Sequence, residues 1–355
     1  MSVPKPLKML VDYSSVRAQT VVSVMTSQNP PDIPAALDVL RGGAWFEALR
    51  LSTCQESAYG VGKRIQPQTY RPREAGRWPQ HHNLWAKYAR GVHLPGAKTR
   101  AEASRVDPEA EDLLTAAAWT AMDVGTPLGS HGDTLLRRLR LGVQQAMFEP
   151  RELPAGRYRR RSARVLPLRL LASQADLDGV TAMVVLLREA HEAGSSARAF
   201  DVGRALYGAL LTATTSLPIS LLAPELLEFF IQAIFPLANH DGMTLDIDRD
   251  EFHEQRRLLH QCVLHLEDAG RVIVKAKNTQ AHRDVLSGRF GFDLYYGLGP
   301  RWRLLRSPES VSKKSRDFAA SMRVGRDWGL GVLRRGQQVR LLPRDVIAQM
   351  AAARS

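Results

Sequence analysis

The chain has 355 residues, with 49 Lys or Arg against 36 Asp or Glu and a formal net charge of +13. That length suggests about two domains and is enough to bury a core without disulfide or metal staples. The two cysteines, Cys54 and Cys262, fit a reducing cytoplasm better than a secreted, disulfide-built scaffold. Arg supplies 40 of the 49 basic residues. A GC-rich genome would account for Arg over Lys, but not for the excess of bases over acids, which favours a polyanionic partner.

The amino-terminal residues lack the uninterrupted apolar run of a signal peptide. A helix is expected over residues 34–51, carrying Leu37, Leu40, Trp45 and Leu49 at helical spacing and weakened by Gly42 and Gly43. Residues 60–83 have no periodicity and many turn formers, and read as a long loop. Asp107, Pro108 and Glu109 form a helix start leading into residues 113–122. Another helix follows Asp133 and carries Leu135, Leu136, Leu139, Val143 and Met147.

Residues 151–170 then hold seven arginines, one acid and two prolines, the composition of a linker or basic arm. Helices are expected near 174–192, 198–211 and 224–235. The run from Leu217 to Ala238 is the most apolar, but Pro218, Pro224, Glu225, Glu228 and Pro236 break it, so it reads as a core helix and not a membrane span. Asp248, with Glu251 three residues on, starts a helix that should stop at Gly270. Strands are expected at 271–277, 290–298, 301–305 and 337–341, before a closing helix at 344–353.

On the helix before Gly270, the core face is Leu259, Cys262, Val263, Leu266 and Ala269. The opposite stripe holds Arg257, Gln261, Leu264 and Asp268, with His253 and His260 beside it. Arg and Gln match the edges of guanine and adenine in the major groove. Helix, glycine stop, strand RVIVKAK, basic loop and strand FDLYYGL together resemble the winged-helix DNA-binding domain over about residues 217–305. The resemblance implies Arg257, Gln261 and His260 as base readers, and a hairpin placing Lys275, Lys277, Arg283 and Arg289 on phosphate. Arg159, Arg160 and Arg161 of the basic arm and Lys313 and Lys314 of the carboxy-terminal stretch are further phosphate candidates. In that stretch, residues 301–340, eleven bases face three acids, with Trp302, Phe318 and Trp328 interleaved.

Two smaller resemblances stand beside this one. LWAKYARGVHLP, with Tyr88, Gly91 and Pro95, resembles the end of a repressor-type helix-turn-helix. HEQR, His253 to Arg256, matches an element of tyrosine recombinases, which implies Tyr295 or Tyr296 as nucleophile. Other motifs fail on single residues. SAYGVGKR has Ser57 for the first P-loop glycine, DIDRDE has Glu251 where an EF-hand needs glycine, and the Ser-x-x-Lys of residues 310–313 lacks companion motifs. His260, Cys262 and His265 are too divided between helix faces for zinc.

The expectation is a mainly α protein with a small antiparallel β component. It would have a helical region to residue 150, a linker at 151–170, a winged-helix-like DNA-binding domain at 171–310 and a basic extension at 311–355. It would be a bacterial, cytoplasmic, nucleoid-associated DNA-binding protein, either a transcriptional regulator or a replication or maintenance protein of a mobile element. Double-stranded DNA is the expected partner, with no membrane and no cofactor, and a homodimer is left open. The alternatives are a recombinase-like strand-transfer enzyme and a basic protein-interaction scaffold.

Overall fold

The computed structural model describes residues 12–27, 29–70, 83–161, 165–274, 278–305 and 310–354. These are mainly helical, with one two-stranded antiparallel sheet. In chain order the helices are α1 (Ser14–Thr26), α2 (Ile33–Ser52), α3 (Ala58–Ile65), α4 (Leu84–Ala89), α5 (Ala97–Ser104), α6 (Pro108–Leu114), α7 (Ala117–Met122), α8 (His131–Arg137), α9 (Leu141–Met147), α10 (Val165–Leu171), α11 (Leu177–Glu192), α12 (Ser196–Ala213) and α13 (Ala223–Phe229). Then come strand β1 (Met243–Asp246), helices α14 (Arg249–Asp268), α15 (Gln280–Leu286) and α16 (Phe292–Gly297), strand β2 (Arg301–Leu304), and helices α17 (Lys313–Arg334) and α18 (Arg344–Ala352).

The chain forms two compact units, residues 1–119 with 217–229 and residues 120–216 with 230–355. The division expected near residue 150 is therefore misplaced, for a reason visible in the hydrogen bonds. Arg188 of α11 donates to the Ala121 carbonyl (2.8 Å), and Glu192 accepts from the Leu128 and Gly129 amides (2.8 and 3.1 Å). These bonds draw residues 120–150 into the second unit.

In the first unit, Asp32 caps α2 by accepting from the Ala35 amide at 3.0 Å. Trp45 of α2 stacks on Trp85 of α4 at 5.6 Å, with Tyr88 edge-on to both, and all three are buried. The α4 segment that echoes a helix-turn-helix thus spends its aromatics in the core. A Cβ on Gly43 would lie 2.8 Å from the Arg17 side chain, so this glycine makes room for a buried cation. Arg17, 0% exposed, pairs with Glu225 (2.5 Å) and Glu47 (3.0 Å) and donates to the carbonyls of Ala89 and Leu221. Arg50 pairs with the other oxygen of Glu47 at 2.6 Å. Burial pushes the Glu225 carboxyl up and the Arg17 guanidinium opposes it. This set of charges ties residues 217–229 to the first unit. Among the described residues, one helical stretch, Ile219–Ala238, is long and apolar enough to cross a membrane, and 67% of its apolar window is buried in the fold.

In the second unit, β1 and β2 pair with Met243 opposite Leu304 and Asp246 opposite Arg301. Asp248 caps α14 through the Glu251 amide (2.9 Å), and the chain leaves α14 at Gly270 with φ +66°, as the sequence implies. Gln255, fully buried, accepts from the Tyr207 hydroxyl and donates to the carbonyls of Gly297 (2.7 Å) and Gly299 (3.1 Å). Buried Arg326 of α17 also donates to Gly299 (3.1 Å) and pairs with Glu251. One polar network thereby joins α12, α14 and α17 to the residues at the end of α16.

Several local expectations are corrected. Residues 60–65, assigned to a loop, belong to α3, capped by the Ser57 hydroxyl on the Gly60 amide (3.2 Å). FDLYYG is helix α16 and not a strand, and residues 337–341 are irregular. Residues 271–274 form no strand, and 275–277 lie outside the described residues. The 22-residue helix α17 occupies the start of the stretch expected to be a basic extension. Its glycines let neighbouring backbone approach: a Cβ on Gly329 would meet the Gly297 amide nitrogen at 2.5 Å, so α16 and α17 touch backbone to backbone.

Candidate nucleic-acid interface

A groove of about 1310 Å³ opens in the second unit. Its floor is one face of α12, where Ala205, Gly208, Ala209 and Thr212 recur at helical spacing. Small side chains there leave volume that larger ones would fill. Pro167, Leu168 and Arg169 of α10 flank it, as do Arg283 of α15 and residues 298–300 after α16.

Seven arginines line this groove: Arg160, Arg161, Arg169, Arg198, Arg204, Arg283 and Arg289. Four carboxylates line it too, those of Asp133, Glu189, Asp201 and Asp284, so formal positive charge remains in excess. Four of the heads, those of Arg160, Arg161, Arg283 and Arg289, are held in place. Asp284, little exposed, binds Arg283 and Arg289 at 2.7 Å each, and Arg283 also donates to the Ser173 hydroxyl (2.9 Å). Burial would raise the Asp284 carboxyl, but the bonds from Arg283, Arg289 and Gln280 outweigh it and hold the group below its usual range. Elsewhere on the lining, Arg160 bridges Asp133 (2.5 Å) and Glu189 (2.6 Å), while Arg161 holds the Gln145 carbonyl with two nitrogens (3.1 and 2.8 Å). Arg204 reaches Asp201 only at 3.8 Å. Tyr295 lies on the lining, 36% exposed, with its ring edge-on to Tyr296 at 5.0 Å.

Four residues expected on phosphate, Arg160, Arg161, Arg283 and Arg289, therefore meet in one groove although they come from separate parts of the chain. Arg159 stands exposed and pairs with Glu152 at 3.4 Å. Lys313 and Lys314 are exposed in the first turn of α17, away from the groove lining. Lys275 and Lys277 lie outside the described residues.

The expected base readers Arg257, His260 and Gln261 are exposed on α14. The wing that should accompany them is not formed as the resemblance implied, because its second strand is α16. Arg257 acts on Glu254, whose carboxylate is bonded by Arg334 (2.6 Å) and held below its usual range first by that bond. The recombinase-like set has separate surroundings. Arg256 donates to the Thr214 carbonyl at 3.3 Å, whereas the Tyr296 hydroxyl, pushed up by burial, lies in the field of Tyr295 and Arg354. His282 is buried with Nε2 3.3 Å from the Thr215 hydroxyl, and burial followed by the charge of His260 pushes it down to about 4.

Sequence reasoning missed Arg169, Arg198, Arg204 and the carboxylates that position the arginine heads. One signal was legible: from Arg198, the residues Asp201, Ala205, Gly208 and Thr212 follow at steps of three, four, three and four, a polar-to-small row unlike a core face. No protein-family model, no curated protein and no solved structure matches the chain.

Proposed function

We propose that this protein binds nucleic acid, with phosphates received by the arginines of the second unit's groove. The observation that carries the reading is the convergence of seven arginines from four separated chain segments on one groove, with several guanidinium heads fixed by carboxylates or carbonyls. Arginine heads held in place lose little freedom when they meet phosphate, and each phosphate so neutralised releases condensed counterions. A volume of about 1310 Å³ also exceeds the roughly 300–1,000 Å³ of ordinary small-ligand pockets. The test is a salt titration of binding to mixed-sequence oligonucleotides. Replacing Arg169, Arg198, Arg283 and Arg289 with Ala should flatten the slope of log K against log salt by about 0.7–0.9 for each phosphate the variant no longer neutralises. An unchanged slope would reject the groove as the phosphate site.

A second reading, in which α14 reads duplex DNA as a regulator or replication protein would, draws on the exposure of Arg257, His260 and Gln261. Arg257→Ala should then cost about 1–3 kcal/mol on a selected sequence and much less on random DNA. Equal loss on both would remove it.

A further inference from the structure

We propose that the groove takes a single strand of nucleic acid and not a duplex, an inference that rests on the reading above. Three observations point the same way. The first is shape. A duplex is read by a convex element, a helix or a two-stranded ribbon that enters its groove. The arginine site is concave, floored by Ala205, Gly208, Ala209 and Thr212, and a concave channel receives a strand.

The second is the distribution of charge. The heads of Arg283 and Arg289 are fixed on Asp284, and those of Arg160 and Arg161 come from a segment more than a hundred residues earlier. Cations contributed by several walls of a channel track one backbone running through it. The third is Tyr295. It lines the groove, is 36% exposed, and its ring stands roughly perpendicular to that of Tyr296 at 5.0 Å, so an aromatic residue is available at the site for stacking on a base face. Unpaired bases offer such faces, whereas bases stacked inside a duplex do not. Phosphate clamps beside an aromatic residue imply binding that tolerates many sequences.

The experiment uses the full chain and three fluorescein-labelled probes of equal length: a 12-nucleotide oligothymidylate, the matching oligouridylate, and a 12-base-pair dA·dT duplex. Anisotropy at about 100 mM salt should show the single strands binding about tenfold or more tighter than the duplex. The two single-stranded arms establish whether DNA or RNA is preferred. Ala205→Glu, which puts a carboxylate on the floor without removing an arginine, should weaken single-strand binding about tenfold or more. Tyr295→Ala should cost about tenfold, and Tyr295→Phe, which keeps the ring, about twofold or less. Unchanged thermal melting of each variant shows that the fold is intact.

Duplex binding as tight as single-strand binding, or single-strand binding indifferent to Ala205→Glu in a folded variant, overturns the single-strand assignment while leaving nucleic-acid binding in place. Equal losses for Tyr295→Phe and Tyr295→Ala overturn the stacking role. Absence of binding to all three probes at low salt overturns the nucleic-acid reading itself.

Discussion

The two units of this chain differ in their use of arginine: both bury some, Arg188 and Arg326 in the second, but the second also spends others on an open groove. In the first, Arg17 and Arg50 are buried and matched by Glu225 and Glu47, so the charges cancel within the core. In the second, seven arginines line an open groove with only four carboxylates, and Asp284 is shared by two guanidinium groups. A cation fully enclosed by partners fixes how segments assemble, because any other arrangement leaves a buried charge unpaired. A cation half-paired at a surface keeps its field for a ligand. Net charge alone does not distinguish these uses; burial and pairing do.

The largest effect should come from the first unit. Arg17→Met leaves Glu47 and Glu225 without their shared cation and should cost about 3–5 kcal/mol in a urea melt. A loss below about 1 kcal/mol would show that the buried set does not hold residues 217–229 in place. Next comes His282. Its folded value of about 4 lies below the ordinary 6.5, so the unfolded chain takes a proton first as pH falls. The stability it contributes is complete above pH 6.5 and lost toward pH 4, by up to about 3 kcal/mol. His282→Phe should flatten that part of the profile, and an unaltered profile would reject the assignment. Gly329→Ala pushes a methyl into the backbone of α16 and should cost about 1–3 kcal/mol by thermal melting, with no gain of helix propensity visible. The smallest change in stability should be that of Arg289→Ala, whose side chain is 67% exposed. It should alter stability by no more than about 0.5 kcal/mol while weakening nucleic-acid binding, which separates the groove's arginines from those of the core.

Local signals in the sequence were strong where they depend on neighbours along the chain. The Asp248 cap, the stop at Gly270, the exposed face of α14 and the start of α6 at Pro108 follow from residues a few positions apart. What was hidden depends on partners distant in sequence. The alternation in FDLYYGL reads as a strand, but Gly297 lets α16 lie directly on α17, and that packing overrides the pattern. The glycines of α17 lower its propensity, and no helix was expected there, although they are what the helix crossing requires. Residues 151–161 looked like a free basic arm because Asp133 and Glu189, which hold Arg160, are invisible as partners until the chain is folded. The groove was legible in part: four of its seven arginines, Arg160, Arg161, Arg283 and Arg289, could be named from charge and pattern, but Arg169, Arg198 and Arg204 and the convergence on the small-residue face of α12 could not.

Ultraviolet crosslinking of the full chain to a 4-thiouridine-substituted single strand, followed by mass spectrometry of the joined peptides, addresses the groove most directly. Crosslinks should fall on peptides containing Tyr295, residues 167–169 and residues 204–212, and should disappear in Ala205→Glu. Crosslinks confined to the first unit, or to the exposed row of Arg257, His260 and Gln261, would contradict the placement of nucleic acid in the groove.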